Sequence, residues 1–149
     1  MYGSCGMMTG YKRIYLDTAP VIYLIENNGE YYNKLVSSII KWNRDGCGFF
    51  TSVITRAEFC VHPYRTGRYD LIKAYDDMLN ELKVNVIGID DTVADTAARL
   101  RGKYSSFKSM DALQISASMR CMADIFLTND KQLRQCSETR ILLISELDE

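Results

Sequence analysis

The chain has 149 residues, 47% of them hydrophobic and 25% charged, with a formal net charge of −1. That length suits one domain that buries roughly two-thirds of its unfolded surface, and the balanced charge excludes a strongly basic nucleic-acid binder while leaving room for a local basic patch. No apolar run approaches the ~20 residues that cross a bilayer, so no membrane partner is expected. Met1 to Lys12 contains Gly3, Ser4 and Gly6 and no hydrophobic stretch, and it reads as a flexible N-terminal tail (residues 1–12) or an upstream start. A single domain is expected over residues 13–149. The five cysteines, Cys5, Cys47, Cys60, Cys121 and Cys136, are odd in number and include no C-x-x-C pair, which points to free thiols in a reducing cytoplasm. His62 is the one histidine, so a His-rich zinc site is ruled out. Cys60 lies two positions away on a helix and faces elsewhere, so no thiol–imidazole dyad is expected.

In chain order, Arg13-Ile14-Tyr15-Leu16 is a short buried strand that runs into Asp17 and Thr18, with a helix starting at Ala19-Pro20 and ending at Asn27-Asn28-Gly29. Leu35, Val36, Ile39, Ile40 and Trp42 form the apolar stripe of a second helix over Glu30 to Trp42, and Asp45-Gly46 is a turn. Gly48 to Ser52 is a second strand whose Thr51 or Ser52 caps the next helix, which carries Arg56, Glu58 and Phe59 and should stop at His62-Pro63. Tyr69 to Leu82 is amphipathic, with Leu71, Ile72, Tyr75, Met78, Leu79 and Leu82 at three- and four-residue steps.

Val84 to Ile87 is a third strand, and Asp90-Asp91-Thr92 opens a helix with its acids at the positive end. Ser109 is expected to cap a largely buried helix from Met110 to Met122. Ile125 to Leu127 is a fourth strand leading to Thr128-Asn129-Asp130, and a short helix precedes a last strand, Ile141 to Ile144. Strands alternating with helices mean a parallel sheet covered on both faces. The fold class is therefore α/β, a three-layer α/β/α sandwich with a mostly parallel sheet of about five strands.

Two strands end alike, in Leu16-Asp17-Thr18 and Leu127-Thr128-Asn129-Asp130, and as neighbours they would bring both acids to one sheet edge. Asp111 sits at the start of a buried helix and Glu58 lies between Ala57 and Phe59. Four clustered acids repel and raise one another's pKa values, a conflict that a divalent cation resolves. Oxygen-only ligands indicate a hard ion, Mg²⁺ or Mn²⁺. Each acid also has an ordinary explanation. Asp17 and Asp130 could cap helices, Asp111 could answer a helix dipole, and Glu58 could pair with Arg56 or Arg99. Glu26, Asp90, Asp91, Asp95 and Asp124 are read as solvated or capping residues. Arg99, Arg101, Lys103 and Lys108, interleaved with Tyr104 and Phe107, form a cationic run before Asp111 that suits phosphate contact and base stacking.

Leu16-Asp17-Thr18, Thr55-Arg56-Ala57-Glu58-Phe59, Met110-Asp111-Ala112-Leu113-Gln114 with Ala117, and Phe126-Leu127-Thr128-Asn129-Asp130 resemble the PIN-domain ribonucleases, most closely the VapC-like toxins of toxin–antitoxin pairs. The resemblance runs from Arg13 to the last strand. It implies a metal-dependent endoribonuclease with Asp17, Glu58, Asp111 and Asp130 as acidic positions, Thr128 and Thr18 as supporting hydroxyls, an RNA substrate, a homodimer and an antitoxin partner. Ala19 departs from the Asn or Ser often found there, and Met1 to Lys12 is not part of the pattern. Three other readings stand beside this one. The chain could be a housekeeping RNA-processing nuclease, or a binding module with a vestigial acidic pocket. An aspartyl phosphatase centred on Asp17 is weakened by Ala19, where such sites carry a second Asp.

Overall fold

The structure, a computed structural model, describes residues 10–27 and 29–148. Strand β1 (Arg13–Leu16) leads into helices α1 (Thr18–Glu26) and α2 (Gly29–Arg44). β2 (Gly48–Ser52) is followed by α3 (Val53–Phe59), α4 (Val61–Thr66) and α5 (Tyr69–Glu81). β3 (Asn85–Ile87) precedes α6 (Asp91–Lys103) and α7 (Ser109–Arg120). β4 (Ile125–Thr128) and β5 (Ile141–Leu143) are each followed by a short 3₁₀ turn, Lys131–Gln135 and Ile144–Glu146. The five strands lie in the order β3-β2-β1-β4-β5, and every pairing is parallel.

The two-residue period of a strand sends alternate side chains to opposite faces. Ile14 and Leu16 of β1, with Phe49, Ile125 and Leu127, pack against Val21, Leu35, Ile39, Trp42 and Tyr75 from α1, α2 and α5. Tyr15, Phe50 and Phe126 face the other way, onto Ala97 and Leu100 of α6 and Ala112, Ile115 and Ala117 of α7. The result is the expected α/β/α sandwich. Tyr15 and Phe126, opposite each other in the register, stack with ring centroids 5.2 Å apart.

Local signals account for most element ends. Asn27 stops α1 in the left-handed region at φ 53, and the turn before β2 carries Gly46 at φ 81. The Ser52 hydroxyl caps α3 by accepting from the Ile54 amide at 3.1 Å, and Asp90 caps α6 through the Val93 amide at 2.9 Å. Two expectations need correction. His62-Pro63 does not stop the chain's helical course, because Pro63 is the third residue of α4, inside the first turn, where a proline forfeits no intrahelical hydrogen bond. Ser109 is not a cap either: α7 begins at Ser109 itself, and its hydroxyl accepts from Arg101 Nη1 at 3.0 Å.

Packing begins two residues before the expected domain start. The Lys12 carbonyl accepts from the Gly48 amide at 2.7 Å, and the ring of Tyr11 meets Trp42 edge-on at 6.4 Å. Asp124, one of the acids read as capping, has one carboxylate oxygen that accepts from the Lys12 and Arg13 amides, each at 2.8 Å. Residues 1–9 of the expected tail, and Cys5 with them, lie outside the described residues. Removing the Asp124 acceptor frays the start of the central strand, so Asp124→Ala should cost about 1–2 kcal/mol and lower the melting midpoint by about 2–6 °C. The comparison is Asp148→Ala, expected to stay within about 0.5 kcal/mol of the parent, and equal midpoints for the two variants would remove this role from Asp124.

Candidate active site

The strand order reverses its winding between β1 and β4, and in open parallel sheets that reversal opens a crevice beyond the carboxyl ends of the strands. β1 delivers Asp17 there and β4 delivers Asp130. The Asp17 amide extends the β1–β4 pairing by donating to the Leu127 carbonyl at 3.0 Å. Both oxygens of Asp17 are held: Oδ1 accepts from the Thr18 amide at 2.8 Å and Oδ2 from the Thr128 hydroxyl at 2.7 Å. Thr128 Oγ1 also accepts from the Asp130 amide at 3.1 Å, so one hydroxyl joins the two acidic turns. Asp130 Oδ1 accepts from the Gln132 amide at 2.9 Å and caps the 3₁₀ turn.

Asp111 is half-buried in the first turn of α7, where Oδ2 accepts from the Lys108 amide at 3.3 Å. Glu58, on the last turn of α3, accepts from the Thr18 hydroxyl at 2.6 Å. It pairs with neither arginine weighed for it: Arg56 bridges to Asp76, and Arg99 to Asp95 at 2.9 Å. The capping and dipole roles considered for Asp17, Asp111 and Asp130 are thus present together with their convergence.

Burial pushes the Asp17 carboxyl up to about 6, with Glu58 and Asp111 adding repulsion against the hydrogen bonds from Thr128 and Thr18. Burial raises Asp111 as well, with further repulsion from Asp130 and Glu58. Asp17 and Asp111 therefore both sense neighbouring acids, and none of the four has an ion-pair partner among the described residues. Asp111 Oδ1, Asp130 Oδ2 and Glu58 Oε2 make no hydrogen bond among those residues. Their oxygen-only chemistry fits a hard divalent cation. As they stand, no three acidic, histidine or cysteine side chains among the described residues are grouped closely enough to hold one.

The cationic run has a different character from the one expected. Tyr104 and Phe107 are 9% and 2% exposed and stack on each other at 4.7 Å, so neither presents a ring to a base. Arg99 is paired with Asp95, and Lys103 with Glu138 at 2.9 Å, while Arg101 Nε donates to the Phe107 carbonyl at 3.2 Å. Lys108 lies at the α7 start beside Asp111. Sequence reasoning missed the buried polar groups beneath the acids. Gln114, 1% exposed, donates to Thr18 and Thr55 and accepts from Ser52 and Tyr15. Asn129 Nδ2 donates to the Tyr23 hydroxyl at 3.0 Å, fastening the β4 turn to α1. The signal available was polar residues at positions that should be apolar: Thr51, Ser52, Thr55 and Gln114.

The PIN domain family model matches residues 14–138. No significant match was found among curated protein sequences. Among solved structures, VapBC2 from Rickettsia felis bound to a promoter DNA fragment aligns at TM-score 0.70 and 15% identity, covering 88% of this chain and 98% of that one. A toxin–antitoxin complex from Klebsiella pneumoniae aligns at 0.63 and 18% identity, covering 88% and 97%. DNA-bound VapBC from Salmonella typhimurium aligns at 0.67 and 15% identity, covering 89% and 98%.

The raised carboxyl of Asp17 makes a signed prediction. Its folded pKa of about 6 exceeds the ~3.9 of an unfolded aspartate, so the folded protein holds the proton more tightly. The associated stability is complete below pH ~4 and is lost as pH rises through about 6. Asp17→Asn removes this dependence. The stability of the metal-free parent relative to this variant should therefore fall by ~2–3 kcal/mol between pH 4 and pH 7. Urea denaturation at both pH values measures it, and a constant difference would place Asp17 in a water-like environment.

Proposed function

The chain belongs to the PIN domain family, matched over residues 14–138, and from that premise we propose that it is a divalent-metal-dependent endoribonuclease, the toxin of a toxin–antitoxin pair acting in the cytoplasm. The reading is supported by one observation: around the β1/β4 reversal, the carboxyls of Asp17 and Asp111 are raised by burial with repulsion from neighbouring acids added, and none of Asp17, Glu58, Asp111 and Asp130 has a salt-bridge partner among the described residues. Asp17, Asp111 and Asp130 would hold Mg²⁺ or Mn²⁺, with Glu58 as a further ligand or a water-orienting group. When bound, such an ion supplies Lewis-acid polarisation of a phosphodiester and a water of lowered pKa. The protein's own contribution is placement. Thr18 and Thr128 fix Asp17, the Gln132 amide fixes Asp130, and the Lys108 amide holds Asp111, all before substrate arrives. Such preorganisation keeps the entropy of ordering out of the reaction barrier.

Arg99, Arg101, Lys103 and Lys108 are exposed and supply phosphate contacts in this reading, without base stacking. Their existing ion pairs are no obstacle, because exposed pairs are worth only about 0–1 kcal/mol and exchange readily for phosphate. The toxin–antitoxin complexes among the structural neighbours support an antitoxin partner. The family resemblance adds a homodimer, with an antitoxin segment covering its sites.

Purified protein assayed against tRNA and rRNA should cleave with Mg²⁺ or Mn²⁺ and stop with EDTA, and Asp111→Asn should lose cleavage. Independently of activity, ~10 mM Mg²⁺ binding at a Kd of ~1 mM adds roughly 1.4 kcal/mol, raising the melting midpoint by ~3–6 °C. Asp111→Asn should abolish that rise. A variant that still melts higher with Mg²⁺ would place the ion elsewhere. Replacing Arg101 and Lys103 together with Ala should raise KM for RNA and flatten its salt dependence. An unchanged salt slope would take the segment off the RNA-binding surface.

A further inference from the structure

Beneath the acids lies a connected chain of hydroxyls and one amide. It starts at the Leu16 carbonyl, which can only accept. Thr51 Oγ1 lies 2.8 Å from that oxygen and 2.8 Å from Thr55 Oγ1. Thr51 is the donor in both contacts, its one proton shared between the Leu16 carbonyl and the Thr55 hydroxyl. Thr55 Oγ1 also accepts, at 2.9 Å, from Gln114 Nε2. The same Nε2 donates to Thr18 Oγ1 at 3.1 Å, while Gln114 Oε1 accepts from the Ser52 hydroxyl at 2.9 Å and from the Tyr15 hydroxyl. Thr18, already an acceptor, is left one place for its proton: Glu58 Oε1, 2.6 Å away.

We propose that Gln114 is a positioning residue that acts through Thr18 to hold the Glu58 carboxylate at the site, the Gln114 amide donating to Thr18 and Thr18 donating to Glu58. The chain is dry. Thr51, Ser52 and Thr55 are each 0% exposed and Gln114 is 1% exposed, so no bulk water competes for any link before Thr18. Glu58 is the opposite case, exposed on the end of a seven-residue helix, and the Thr18 hydroxyl is its one hydrogen-bond partner among the described residues. Without that bond its side chain is free to sample several rotamers away from Asp17 and Asp111. Glu58 Oε1 accepts this hydrogen bond from the Thr18 hydroxyl and leaves Oε2 for whatever the site binds.

The inference deepens the nuclease reading and rests on it for its catalytic consequence, but not for its structural test. Side-chain NMR on the metal-free full chain should show a slowly exchanging Thr18 hydroxyl proton close to the Glu58 side chain, and a single Glu58 rotamer. Both should be lost in Thr18→Val and in Gln114→Leu, and restored in Thr18→Ser. If Glu58 keeps one rotamer in a folded Thr18→Val protein, the proposal is wrong. Gln114 is buried, so Gln114→Leu could fail to fold; Thr18→Val acts at the open end of the chain and decides the matter alone. On an RNA that the parent cleaves, Gln114→Leu should lower kcat by ~10–100-fold with KM unchanged. In a Glu58→Ala background it should lower kcat no further. An equal loss in both backgrounds would mean that Gln114 merely supports the core, and overturns the proposal. A parent that cleaves no RNA refutes the nuclease reading and leaves the NMR result to judge this one.

Discussion

The 3.0 Å hydrogen bond from the Asp17 amide to the Leu127 carbonyl closes β1 against β4 where the sheet reverses its winding, and the polar edge of the protein depends on it. With Leu16 opposite Leu127, the two chains leave the sheet side by side and carry Asp17 and Asp130 into the same crevice. A slip of one residue in that register would invert every side chain of β1 and send Asp17 to the opposite face. The register is protected by what lies on either side. Ile14, Leu16, Ile125 and Leu127 are each 0% exposed on one face, and Tyr15 and Phe126 stack on the other. The hydrophobic pattern that forms the sheet is therefore also what sets the spacing of the acids.

Asp17 and Asp111 are an electrostatic burden on the fold. They are restrained by amides and hydroxyls, which hold a carboxylate in place without cancelling its charge as an arginine would. Arg56, Arg99 and Arg120 all have carboxylate partners, and those partners are Asp76, Asp95 and Asp90 rather than any of the four acids. Local stability is given up around Asp17 and Asp111 while the two apolar layers keep the domain folded, the relation expected if these acids form the proposed site.

How much of this could be read from the sequence varied with the range of the interactions. Strand and helix identities followed from short-range periodicity, and the acids were visible because Asp17 and Asp130 end apolar runs in the same way. Local rules misplaced only details, as at Pro63, which sits inside the first turn of α4 after the chain has broken and restarted at Cys60. Long-range partners were out of reach. Tyr104 looked available for a base because nothing nearby announces that Glu138, 34 residues later, accepts from its hydroxyl at 2.6 Å. Gln114 was equally opaque. Its four partners come from β1, the end of β2, α1 and α3, and only the assembled sheet brings them to one amide.

The buried thiols have a use that their packing makes plain. Cys47 and Cys60 sit in the layer beneath α1, α2 and α5, and Cys121 and Cys136 in the layer beneath α6 and α7. All four are free, and burial raises each thiol pKa above its ordinary value. A thiol-reactive reagent meets them only when the surrounding layer opens, because the reactive thiolate is both scarce and shielded. Mass-resolved labelling then times the opening of each side of the sheet separately, so the molecule carries two internal clocks, one for each face of its core.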